Sequence, residues 1–102
     1  MKYKEQLQTA REHGLDILNL MVADEVEQYF ADHTEITDEL FEQVCSFAED
    51  MYLKSGDSLS SIVVTIKQLV ETEGYTFDEV FSMKKWDFLE QVVQYFPYNE
   101  QL

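Results

Sequence analysis

The groups in this chain that could do chemistry are its carboxylates, two histidines and one thiol. Adjacent acids recur as Asp24 and Glu25, Asp38 and Glu39, Glu49 and Asp50, and Asp78 and Glu79. Two carboxylates work as general acid and base only where a pocket drives their pKa values apart. These pairs are spread over what read as exposed faces, where they stay ordinary solvated acids. His13 and His33 each stand alone, with no second His or Cys at metal-ligand spacing, and read as surface residues. Cys45 lies among Phe41, Val44 and Ala48 and reads as a buried structural thiol rather than a nucleophile. No glycine-rich phosphate loop and no GxSxG elbow is present. The stretch from Asp32 to Glu42 lacks the alternating ligands and central glycine of a calcium loop. The reading is a protein without catalytic residues, bound metal or cofactor.

The distribution of charge carries more information than any single group. Asp and Glu number 21 against 7 Lys and Arg, a formal −14. From Glu12 to Leu53 there is no Lys or Arg, while Glu12, Asp16, Asp24, Glu25, Glu27, Asp32, Glu35, Asp38, Glu39, Glu42, Glu49 and Asp50 all fall in that stretch. An ordinary solvated helix mixes signs, because each i,i+4 ion pair contributes about 0.2–0.5 kcal/mol. That gain is forgone over 42 residues. At about 100° per residue, Asp38, Glu42 and Glu49 fall within about 40° of one another, with Glu39 and Asp50 in a second line beside them. Glu12, Asp16 and Glu27 are expected to share one flank of the preceding helix. Asp16, Asp24, Glu27, Asp38, Glu39, Glu42, Glu49 and Asp50 are therefore the candidate partner-binding residues, and the partner they suit is a basic protein. Direct binding to nucleic acid is excluded, since nothing here replaces condensed counterions. An anionic membrane surface is disfavoured for the same reason.

In size and in this acidic stretch, 12–53, the chain resembles the small acidic proteins that phages and mobile elements use against restriction or RNA-guided nucleases. These anti-restriction and anti-CRISPR proteins include DNA mimics. The resemblance implies an inhibitor whose carboxylates stand in for phosphates in the basic groove of a nucleic-acid-binding enzyme.

The elements that must hold these acids are helical. Pro occurs once and Gly three times, too few breakers for a loop-rich β fold. A first element over 3–31 carries Tyr3, Leu7, Ala10, Gly14, Ile17 and Met21 at helical spacing, continued by Val26, Tyr29 and Phe30, with a kink or break expected at Gly14. A second starts at Thr37 as cap, with Ile36 set to pack on Phe41. Its inner face is Leu40, Phe41, Val44, Cys45, Ala48, Met51 and Tyr52, and Lys54 and Gly56 close it. A third, 58–72, turns Leu59, Ile62, Val63, Ile66, Leu69 and Val70 inward, although its β-branched run would also suit a strand. Thr76 to Glu79 spells a capping box for a short helix to Phe81. A last helix, 83–96, is expected to bury Trp86, Leu89, Val92, Val93 and Phe96 before Pro97, with a frayed tail from Tyr98. The sum is one all-α domain over 1–102, a compact bundle of four or five helices.

A second class of function competes with the first. Phe77, Phe81, Trp86, Phe88, Tyr95, Phe96 and Tyr98 crowd the last quarter. Helical spacing places most of them in the core, but exposed ones would point to a helical adaptor, or an antitoxin-like immunity protein, binding through an apolar groove. The nearly all-round apolar segment 15–22 suits either the core or a subunit interface, the latter giving a homodimer. A lone cysteine, a start that turns polar at once and the lack of any long apolar run read as a cytoplasmic protein.

Overall fold

A computed structural model describes residues 3–31 and 36–95. His33, Asp32, Glu35, Phe96, Pro97 and the tail from Tyr98 lie outside the described residues, and with them the expectations placed on those positions. Six helices make up 81% of the described residues: α1 (Tyr3–His13), α2 (Ile17–Phe30), α3 (Asp38–Ser55), α4 (Leu59–Glu71), α5 (Phe77–Phe81) and α6 (Lys85–Tyr95). The all-α bundle expected from the sequence is what the chain forms, with one helix more than five.

The extra helix comes from Gly14. With φ +66° it occupies the left-handed region that a Cβ disfavours. The Leu15 amide donates to the Ala10 carbonyl at 2.9 Å, and the Gly14 amide to Arg11 at 3.4 Å. This pair of bonds is the Schellman stop, and Arg11 and His13 in the last turn suit the negative end of the helix dipole. Asp16, at φ 52°, is left-handed too, so the chain re-enters a helix in a new direction. The expected single stripe is thereby cut. Tyr3, Leu7 and Ala10 are buried, but Gly14, Ile17 and Met21 are exposed, and α2 buries Val22, Ala23, Val26 and Phe30 instead.

The other helix ends follow local chemistry. Thr37 accepts from the Leu40 amide at 3.1 Å, and Gly56 closes α3 in the left-handed conformation. Ser58 caps α4 through the Ser61 amide. Thr76 and Glu79 exchange both bonds of the capping box at 2.8 and 3.0 Å. The start of α1 is bound from another helix: Asp38 accepts from the amides of Tyr3 at 2.7 Å and Lys4 at 3.2 Å.

Helix α4 is the hub, packed against α2, α3, α5 and α6, while α1 lies against α2 and α3. Its Ile62, Val63, Ile66 and Leu69 are fully buried, so tertiary packing holds the β-branched run helical. Thr65 is buried as well, and its hydroxyl is satisfied by donating to the Ser61 carbonyl at 2.7 Å. An aromatic cluster closes the far end. Phe47 meets Phe88 edge-on at 5.0 Å and Phe81 at 5.7 Å, and Phe77 lies between Phe30 and Phe81.

Two inward placements in α6 do not hold. Trp86 is 71% exposed and Val93 is exposed, because the helix turns Phe88, Leu89 and Val92 into the core. Trp86 and Val93 lie seven residues apart on the same outward line, about one full heptad. Phe88, which the inward stripe omitted, is fully buried in their place.

Candidate functional site

Helix α3 supplies most of the candidate acids. Its buried residues, Phe41, Val44, Cys45, Ala48 and Met51, fix which way the helix is turned. At about 100° per residue, Glu39 and Asp50 then point almost directly away from the core. Glu42 and Glu49 lie on the flank next to Cys45, and both carry their charge toward that thiol. Helix α2 adds Glu27, and ionisation of the thiol is opposed first by burial and then by Glu49, Glu27 and Glu42. The Cys45 pKa is pushed up to about 12, leaving a protonated, buried thiol at neutral pH. Carboxylates of both α2 and α3 thus act on the one thiol, and among the described residues no ion pair reaches Glu27, Glu42 or Glu49.

Tyr3 ties that flank together. Its hydroxyl donates to Asn19 Oδ1 at 2.7 Å and its ring tilts against Phe41 at 5.8 Å. Burial is the main force holding the phenol well above its usual pKa, helped by Cys45 and Glu42, while the Asn19 bond pulls the other way. Lys4 lies over the Phe41 ring at 5.1 Å.

The remaining candidates are engaged or displaced. Asp38 is half-buried and spends both oxygens on the start of α1, which makes it a structural cap. Asp24 pairs with Arg11 at 3.0 Å, and Asp50 with Lys54 at 3.1 Å. The bond to Asp24 and its charge raise the Arg11 pKa, and Glu27 adds to the effect. Asp16 sits in the α1–α2 turn. Because the helix breaks there, Glu12 belongs to α1 and Glu27 to α2, so the expected shared flank of Glu12, Asp16 and Glu27 on one helix does not form; Glu12 takes a bond from Gln8 at 3.3 Å. Glu25 is half-buried beside Ser58 and Leu59 in a shallow surface recess, with one carboxylate oxygen buried and without a hydrogen-bond partner among the described residues.

A second feature lies between the end of α3 and α6. A groove of about 700 Å³ is lined by Lys54, Ser55, Asp57, Lys85, Trp86 and Leu89, among others. Lys85 sits over the Trp86 ring at 4.8 Å. Its chemistry is mixed, an exposed indole with cations and acids at its edge. One signal in the sequence marks it: the pair Lys84 and Lys85 just before Trp86 is the only adjacent pair of cations in the chain.

His13 is exposed at the end of α1. Among the described residues no group of His, Cys, Asp and Glu could hold a metal ion, and no helix is long and apolar enough to cross a membrane. Comparison of the chain with protein families, with curated proteins and with solved structures finds no match.

Proposed function

We propose that this chain is an acidic binding protein that inhibits a nucleic-acid-binding enzyme, such as a nuclease of a defence system, by occupying its basic groove. The observation that carries the reading is that Glu27, Glu42 and Glu49, from two helices, all act on the Cys45 thiol and form no ion pair among the described residues, in a chain of net charge −14. One strand of DNA presents a charge about every 3.4 Å. Glu42 and Glu49 are seven residues apart, or about 10.5 Å along α3. A single line of α3 acids is thus about a third as dense as a phosphate strand. The outward Glu39 and the α2 acid Glu27 raise that density toward what a row of Lys and Arg would meet. A cytoplasmic setting belongs to this proposal. The test is to mix the protein with restriction and RNA-guided nucleases on a labelled duplex. Inhibition is read as displacement of the duplex at low salt, weakening as salt is raised. A protein that displaces DNA from none of them at low salt is not such an inhibitor.

A second reading has its own observation. Trp86 is 71% exposed at the edge of the α3–α6 groove, the kind of side chain that anchors protein interfaces. On that reading the protein is a helical adaptor or immunity-type protein, and the acids form a solubilising rim. Trp86→Ala would then abolish partner binding, while reversal of the α3 acids would leave it nearly unchanged.

A further inference from the structure

We propose that the exposed face of α2 is a docking site for a basic amphipathic helix of the partner. The helix would seat its apolar side chains on Leu15, Ile17 and Met21 and set its lysines or arginines against Asp24 and Glu27. The inference rests on the acidic-binder reading above and adds the contact mode and the chemistry of the segment that is bound.

The face is defined by what α2 buries. With Val22, Ala23, Val26 and Phe30 turned into the core, the outward sector of about 120° carries Glu27, the half-buried Leu20, Asp24, Ile17, Gln28 and Met21 in order around the axis. Ile17 is 64% exposed, Leu15 55% and Met21 48%, so three of the large apolar side chains left in solvent lie within seven residues of sequence. Single exposed apolar residues are commonplace, but a group of them bordered by charge marks an interaction surface. The group exists because of the Gly14 stop and the left-handed Asp16, which turn Ile17 and Met21 off the buried stripe.

Charge decides the occupant. Helix α2 has acids and no cation, and a second copy would bring one chain of −14 against another. A segment with leucine-like side chains on one side and cations on the other satisfies both halves of the face. Arg11 already neutralises Asp24, but both partners of that pair are about half exposed, and such a pair exchanges readily for an incoming cation.

Two probes test this with the full chain: a fluorescent synthetic peptide of leucine and lysine patterned as an amphipathic helix, and an oligolysine of matched charge. Three proteins are compared: wild type, Ile17→Ser with Met21→Ser, and Glu27→Lys with Glu42→Lys and Glu49→Lys, each verified as folded by its helical circular dichroism. The peptide is expected to bind wild type more tightly than oligolysine does, with amide shifts over residues 15–28. The serine variant is expected to lose about tenfold in affinity for the peptide and none for oligolysine. Unchanged peptide affinity in the serine variant, while the lysine variant loses both probes, overturns the docking face and leaves the acidic-binder reading standing. A lysine variant that binds both probes like wild type overturns both. Concentration-dependent shifts of the same amides without any probe would assign the face to a second copy and overturn the proposal.

Discussion

Asp38 separates an acid that builds the fold from one that meets a partner, and its removal can be worked through. Its Oδ2 takes the part-buried Tyr3 amide at 2.7 Å, and its Oδ1 the exposed Lys4 amide at 3.2 Å. A hydrogen bond to a charged group contributes about 1.5–3 kcal/mol when its donor is sheltered. The Lys4 bond adds little, since water replaces it. The carboxylate also sits at the positive end of α1, worth about 0.3–1 kcal/mol, while losing one negative charge from a −14 chain returns a fraction of that. The net expectation for Asp38→Ala is a loss of about 2 kcal/mol. With a urea slope of about 1–3 kcal/mol per molar, the unfolding midpoint falls by roughly 1 M. Asp38→Asn, which keeps one acceptor oxygen, is expected to lose about half as much. The neighbouring, exposed Glu39→Ala should stay within about 0.5 kcal/mol of wild type. Urea unfolding followed by circular dichroism measures all three. Hydrogen exchange of the α1 amides should quicken most in Asp38→Ala, less in Asp38→Asn and not in Glu39→Ala. If Asp38→Ala and Glu39→Ala prove equally mild, α1 is not held by that carboxylate and the assignment of Asp38 to structure is wrong.

Two further outcomes follow from the same geometry. Cys45 has its pKa raised from an ordinary 9.0 to about 12, so above pH 9 the unfolded chain sheds a proton that the folded chain keeps. Stability is therefore intact below pH 9 and declines as pH rises toward 12, with Tyr3 adding to the decline in the same sense; Cys45→Ala should flatten that alkaline limb in pH-dependent urea melts. Gly14→Ala meets no atom within 4 Å, so its cost is conformational alone, about 1–2 kcal/mol, and thermal unfolding of the variant checks it.

Much of the fold could be read where the chemistry is local. Thr37, Gly56 and the Thr76–Glu79 box announce helix ends through groups a few residues apart, and the apolar spacing of α3 and α4 marks their inner faces. The α1–α2 break was harder, because Tyr3, Leu7, Ala10, Ile17 and Met21 keep a helical rhythm straight through Gly14 and only the backbone conformation interrupts it. Trp86 misled for a related reason: hydrophobicity assigned it inward, while Phe88 and Leu89 already filled that side of α6. The candidate acids divide along the same line. Intrahelical angle places Glu42 with Glu49, but that Glu27 joins them, and that Asp38 turns back to cap α1, depends on contacts between helices that no spacing encodes.

The central claim is that the carboxylates of α2 and α3, rather than the α3–α6 groove, meet the partner. The most direct measurement is displacement of a labelled duplex from an inhibited nuclease at low salt. It compares wild type with the Glu27→Lys, Glu42→Lys, Glu49→Lys triple variant and with Trp86→Ala. The triple variant is expected to lose at least about tenfold in potency while Trp86→Ala matches wild type. A triple variant as potent as wild type, with Trp86→Ala inactive, would contradict it and move the binding site to the groove.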